Sequence, residues 1–426
     1  MRRILDISLL LLTMAAASSC LYEDRENFDE SASQRVRSLV ERTEATLASH
    51  PEGWVMQYFG DAGRGGYNYV FRFDGQKAQV SCETASSDYV EECLWEIIRE
   101  DGAVLTFDTY SALIQQFHEP SFGNVEGYGG DYEFRIVGID ENDVISLSGK
   151  IHRGSMRMFP LPEGYTPQSW LDAVKDMEGR WGGDFNVYSS DYERLASTMG
   201  FHGGRTLCFT EGLYPSVTTY DYKKSIIWTP DGFRFQDVLS LGGYHGQDFI
   251  WDGESFSAAD GNLRFTDNGV SLPSYDDIAG KWYLHYFNYF SSYYNLEVEL
   301  VPAGDGRTFR IDGVFKVEDL DNLKVVYDNG RLYIYPQQLG MYSGYYVWAL
   351  PFDSAMSTVL WDAETCLRGN YQKENGREYY QFADCGTASG DYSTDSIILY
   401  EFVTEEPSVS TRVTNLDVLC EMYLYR

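Results

Sequence analysis

The chain has 426 residues, 43% of them hydrophobic and 16% aromatic, with a formal net charge of −32. That apolar content excludes general disorder, and the length exceeds what a single core usually organises, so two or three domains are expected. The negative charge repels phosphate backbones and anionic lipid headgroups, which argues against nucleic acid as a partner.

Met1-Arg2-Arg3 gives a basic start, Ile7 to Leu12 an apolar centre, and Ala15 to Ser19 a run of small residues. This is the order of a secretory signal, too short to span a bilayer, and residues 1–19 are expected to be removed. Cys20 directly after Ala17-Ser18-Ser19 resembles the lipobox of bacterial lipoproteins, although Ala17 stands where leucine is usual. The resemblance implies a diacylglycerol on the Cys20 thiol and a membrane contact through that lipid. The acidic tether Glu23-Asp24-Arg25-Glu26 resembles the surface-export signal of Bacteroidetes lipoproteins, which implies a position facing the cell exterior. No later stretch is apolar and long enough for a transmembrane helix.

Ser31-Ala32-Ser33-Gln34 is a capping-box pattern, and Val36, Leu39, Val40, Thr43 and Leu47 follow at helical spacing. An amphipathic helix is therefore predicted, ended by His50-Pro51-Glu52-Gly53 and packed on the first domain. From Trp54 onward the pattern turns to strands. Tyr67 to Phe73 leads into Asp74-Gly75, Trp95 to Arg99 into Asp101-Gly102, and the device recurs at Asp231-Gly232, Asp252-Gly253, Asn268-Gly269 and Asn329-Gly330. Asp-Gly and Asn-Gly supply the positive φ angles of tight hairpins, so the chain reads as antiparallel all-β. Gly53-Trp54, Gly179-Arg180-Trp181 and Gly280-Lys281-Trp282 mark three strand-rich stretches, and Thr166-Pro167 a capped helix start. The expected organisation is tether and helix over 20–50, then sandwich or barrel-like domains over 51–165, 166–273 and 274–426. The Gly-x-Trp opening resembles that of lipocalin-like barrels, where the tryptophan closes one end.

Six cysteines follow Cys20. Cys82 with Cys93, and Cys366 with Cys385, lie at separations that a disulfide across a hairpin spans, while Cys208 and Cys420 read equally well as buried thiols. None has the spacing of a zinc site, and no two of the six histidines are set as metal ligands. A nucleophile elbow, a phosphate loop and a dinucleotide fingerprint are missing, so no catalytic residue, metal or cofactor is expected. With 65 acidic residues, no carboxylate pair stands out. Aromatic clusters are more informative: Tyr286 to Phe290 with Tyr293-Tyr294, and Tyr342 to Trp348. Alternate rings of a strand face opposite sides, so Tyr289, Tyr293, Tyr345 and Trp348 are candidate ligand-binding residues.

Phe28 to Val36, Gly53-Trp54 and Gly65-Gly66-Tyr67-Asn68-Tyr69 together resemble an uncharacterised family of Bacteroidetes lipoproteins. The resemblance implies outer-membrane placement beside nutrient-uptake proteins of the starch-utilisation type, and carries no functional residue. The expected function is binding of a glycan, peptide or partner protein. A hydrolase using paired carboxylates and a structural component of an outer-membrane complex are the alternatives.

Overall fold

Ser31 caps the first helix: its hydroxyl accepts the Gln34 backbone N–H (3.3 Å) and the Gln34 side chain accepts its N–H (3.0 Å). The helix, α1 (Ala32–Ser49), buries Val40, Thr43 and Leu47 and half-buries Val36 and Leu39, so the apolar stripe faces the protein. In this computed structural model the described residues are 31–60, 63–100, 102–120, 127–201, 204–210, 222–267, 269, 272–288, 292–315, 320, 322–328, 330–363, 365–374, 376–385 and 392–426. Cys20 and Tyr289 lie outside them.

Three antiparallel β-barrels follow. The first joins β1 (Trp54–Phe59), β2 (Gly66–Asp74), β3 (Lys77–Cys82), β4 (Glu91–Glu100), β5 (Gly102–Phe107), β6 (Phe134–Ile139), β7 (Ile145–Gly149) and β8 (Ser155–Pro160), with a short α2 (Ala112–Gln115) after β5. Each strand pairs with the next, and Trp54 opposite Pro160 closes the ring. After α3 (Pro167–Arg180), the second barrel repeats this meander. Its strands are β9 (Phe185–Ser189), β10 (Arg194–Phe201), β11 (Thr206–Thr210), β12 (Tyr222–Thr229), β13 (Gly232–Leu241), β14 (Tyr244–Trp251), β15 (Phe256–Ala258) and β16 (Leu263–Asp267). Asp74-Gly75, Asp231-Gly232 and Asp252-Gly253 all fall at the turns where one strand passes into the next. Gly75 needs its freedom there, with φ 56° in the β2–β3 turn.

The third unit starts with α4 (Tyr275–Ile278) and runs through β17 (Gly280–Asn288), β18 (Tyr293–Pro302), β19 (Thr308–Asp312), β20 (Leu323–Asp328), β21 (Arg331–Ile334), β22 (Gln337–Tyr342), β23 (Tyr345–Asp353), β24 (Thr358–Val359), β25 (Leu367–Glu374), β26 (Arg377–Asp384), β27 (Ser396–Phe402) and β28 (Arg412–Tyr425). Its ring is β17-β18-β19-β20-β21-β25-β26-β28, closed where β28 pairs with β17. Strands β27, β23 and β22 extend the sheet outward from β28.

The Gly-x-Trp pairs play two roles. Trp54 and Trp282 each open the first strand of a barrel, are fully buried, and donate the indole N–H to a carbonyl of the preceding helix, Leu47 O (3.1 Å) and Ile278 O (2.8 Å). Trp181 instead ends α3 and packs on Trp251 (4.5 Å between rings), because Gly179-Arg180 form the last helical turn. The interiors are filled. Phe233 alone touches Phe185, Trp228, Phe235, Phe249, Phe256 and Phe265 in the second barrel. Among the described residues, such packing fills the centre of that barrel, where a lipocalin has its calyx.

Buried ion pairs join the barrels. Arg205, from the β10–β11 turn, reaches into the first barrel, where it bonds both Glu83 oxygens (3.0 and 3.1 Å) and the Gly66 carbonyl (2.6 Å), and also Glu178 of α3. Asp184 is bound by Arg331 and by Arg368 (3.1 Å), both from the third barrel.

Candidate functional site

Strand alternation on the third barrel separates two sets of rings. Trp282, Leu284 and Tyr286 of β17 are buried inward, so Tyr283, His285 and Phe287 face outward. Register then places Tyr425 opposite Tyr283, Tyr423 opposite His285, and Tyr293 opposite Phe287. Ring centroids are 5.3 Å apart for Tyr283–Tyr425, 4.6 Å for His285–Tyr423 and 4.9 Å for Phe287–Tyr293. The result is one aromatic row on the outer face across β18, β17 and β28, in which Tyr293 is 70% and Tyr283 42% exposed and the other rings are half-buried. Asn295 donates its amide to the Tyr425 hydroxyl (2.9 Å) at one edge of the row.

The row borders a cleft made by a change of strand partner. Along one side of β28, Tyr423 to Tyr425 pair with β26, whereas residues 412–420 pair with β27. Between them the register with β17 slips, from His285 opposite Tyr423 to Phe287 opposite Cys420. Glu421 sits at the slip with φ 51°, a left-handed backbone that a non-glycine residue seldom adopts. The ends of β26 and β27 diverge from this point and leave a cleft of about 540 Å³, within the range of small-ligand sites.

Phe287 and Tyr423 of the row form one wall of the cleft, and Gln381, Asp384, Asp395 and Glu421 supply polar groups. Asp384 is held by the Thr394 hydroxyl (2.8 Å) and backbone N–H (3.3 Å). Asp395 accepts the Ser354 hydroxyl (2.6 Å) and backbone N–H (3.0 Å). The neighbouring Cys420 thiol is pushed up, first by burial and then by Asp395, Glu421 and Asp417. It is a poor nucleophile beside a negative field.

The other sequence candidates are dispersed. Trp348 packs with Phe287 and Tyr400 against the apolar cluster of Leu350, Ile398 and Val418, and its indole N–H is tied to Glu405 O (3.0 Å). Tyr345 stands three residues earlier on β23, so it faces the opposite side of the sheet from Trp348 and cannot share a site with it. Cys366 and Cys385 form a disulfide, with Cys208 of the second barrel packed beside it. Cys82 and Cys93 are not bonded, contrary to the expectation from their spacing. The β3–β4 register sets Cys93 opposite Ala78, four residues from Cys82, and burial pushes both thiols up to about 11.

The converging carboxylates that a hydrolase needs do occur, as Glu83 and Glu178 on Arg205, but Arg205 and Glu83 are sealed between two barrels. Burial raises the Glu178 carboxyl and Arg205 lowers it, with the net direction upward. Among the described residues, no group of three or more His, Cys, Asp or Glu side chains is placed to hold a metal ion, and no helix is long and apolar enough to cross a membrane.

A family model for a domain of unknown function, DUF4302, matches residues 24–253, more than half of the chain. The chain belongs to the DUF4302 family. A second domain of unknown function, DUF4987, matches residues 270–400. No curated protein matches the chain significantly. The DUF4302 match takes in α1, the first barrel and β9 to β14; the DUF4987 match runs from just before α4 into β27. Strand β28, which carries Glu421, Tyr423 and Tyr425, lies beyond both matches.

Sequence reasoning missed most of this site, although Tyr283-Leu284-His285-Tyr286-Phe287 and Tyr423-Leu424-Tyr425 alternate visibly. The alternation could have assigned each ring to a face. Which strands lie side by side could not be read that way.

Proposed function

We propose that this chain is a non-enzymatic lipoprotein, anchored through Cys20 to the outer membrane of a Bacteroidetes cell and facing outward, that binds an extracellular glycan. The reading rests on one observation above all: the row of Tyr293, Phe287, His285, Tyr423, Tyr283 and Tyr425 lies on the outer face of the barrel, with Tyr293 and Tyr283 exposed to solvent. Cross-strand ring pairs stabilise a sheet on either face, but an extended row in water offers flat apolar surfaces on which the C–H faces of sugars stack. Asn295, Gln381 and the cleft carboxylates add hydrogen-bond partners for hydroxyl groups. A place in a nutrient-uptake system follows from the resemblance of the mature N-terminus.

Purified residues 21–426 would be titrated with an array of polysaccharides, beside Tyr293→Ala and Tyr345→Ala. The expected result is saturable binding that Tyr293→Ala abolishes and Tyr345→Ala retains. Binding to none of the polysaccharides would sink the reading. Anchoring is tested separately, since Cys20→Ser should release the protein from the outer-membrane fraction.

A further inference from the structure

Three sulfurs meet where the second and third barrels touch. On β11, Leu207 and Phe209 point into the second barrel, so Cys208 between them points out. It packs there against Cys366 and Cys385, which stand just outside β25 and β26 and are bonded to each other beside the Leu367–Asp384 rung. Met199, opposite Cys208 on β10, packs on the group with Tyr333 and Tyr335, and all three cysteines are buried. Its seating is fixed from the third barrel: Arg368, two residues from Cys366, donates to the Gly200 carbonyl and to Asp184 (3.1 Å) of the second. Cys208 belongs to the DUF4302 part of the chain, and Cys366 and Cys385 to the DUF4987 part. A free thiol of one domain thus faces the disulfide of the other.

We infer that the three cysteines form a thiol–disulfide exchange site, through which the bond inside the third barrel is converted into a covalent tie between the second and third barrels. The Cys208 thiol gives up its proton and the thiolate attacks one sulfur of the Cys366–Cys385 bond. A new S–S bond forms, and the other cysteine leaves as a thiolate that takes up a proton. One disulfide and one thiol stand on each side of the step, so it needs no oxidant or reductant. The new bond closes a longer loop than the old one and so constrains the unfolded chain more. What holds the step back is the protonated thiol: burial first, and then Asp384, push Cys208 up, while Lys223 and Arg368 pull the other way. Such a thiol yields little thiolate near neutral pH, so exchange is slow while the interface is closed and quickens when it opens.

The folded chain of residues 21–426 would be held at pH 7 and at pH 8 without reductant or oxidant. At intervals its thiols would be blocked with N-ethylmaleimide in denaturant and the disulfide-linked peptides mapped by mass spectrometry. Cys208 should appear linked to Cys366 or to Cys385, with the displaced cysteine blocked in its place and Cys82, Cys93 and Cys420 blocked throughout. The rate should rise about tenfold from pH 7 to pH 8, since the attacking species is the thiolate. Asp184→Asn, which loosens the same interface, should speed the exchange at either pH, and Cys208→Ser should leave the Cys366–Cys385 bond in place. Cys208 fully blocked beside an intact Cys366–Cys385 bond, in wild type and in Asp184→Asn alike, would overturn the inference. So would linkages spread evenly over Cys82, Cys93 and Cys420, the mark of an unfolded chain reshuffling at random.

Discussion

The second and third barrels start from one plan and end with different surfaces. In both, eight antiparallel strands close into a ring around an apolar interior. The second meanders in strict order, so each strand keeps the same two neighbours, and its phenylalanines fill the centre. In the third, the chain leaves the ring after β21 to build β22 to β24, returns for β25 and β26, and leaves again for β27. Strand β28, fourteen residues long, must then serve two partners in turn along one side, and the cleft opens where they change. The lesson is that a surface cleft arises here by adding strands outside the ring and not by hollowing it.

Substitutions should separate these roles, with stability at stake in the second barrel and binding in the third. The largest effect is expected from Phe233→Ala, which removes a ring buried among six aromatic neighbours. It should cost toward the upper end of about 3–5 kcal/mol in urea unfolding, with glycan affinity of the folded protein unchanged. A parallel loss of affinity would break the contrast. Next comes Asp184→Asn, which removes the anion that bridges Arg331 and Arg368 where the second and third barrels meet. A cost of about 3–4 kcal/mol is expected for breaking a buried pair. Burial alone would raise the Asp184 carboxyl, but the two guanidiniums outweigh it and hold it below its usual value. Its folded pKa thus lies below the unfolded one. Its stabilisation is full above the ordinary aspartate range and fades as pH falls through the folded value. Thermal melts of the wild type should lose this component on acidification, and those of Asp184→Asn should lack it from the start. Replacing Cys366 and Cys385 together by alanine should cost about 3 kcal/mol, as expected for a crosslink closing a loop of this size, because their separation is 19 residues.

The helix and the strands were legible because their signals are local. Ser31 with Gln34, the stripe from Val36 to Leu47, and the Asp-Gly turns each act over a few residues. The three units were legible from the tryptophans, two of which do fasten a barrel to the helix before it. What stayed hidden depends on distant pairing. Arg205 meets Glu83 across 122 positions and Arg368 meets Asp184 across 184, so neither buried node has a local signature. The aromatic site shows both limits. Tyr293 was picked out from its cluster, but its companions Tyr423 and Tyr425 lie 130 or more positions away and join it only through the closure of the barrel.

The smallest stability effect should accompany the largest binding effect, at Tyr293. Its ring is 70% exposed and touches Phe287 and His285 at the outer end of the row. Removing it gives up one cross-strand pair and little buried area, so Tyr293→Ala should shift unfolding by less than about 0.5 kcal/mol. Stacking of a sugar on an exposed ring is worth more than that, because the ring contributes most of its contact area only when the ligand covers it. Tyr283→Ala, with a ring 42% exposed and stacked on Tyr425, should weaken binding by less and destabilise slightly more. Measuring both variants by urea melt and by titration with the polysaccharide that binds wild type tests the ranking. If Tyr293→Ala unfolds the protein as readily as Phe233→Ala does, the row belongs to the scaffold and the contrast between the two barrels fails.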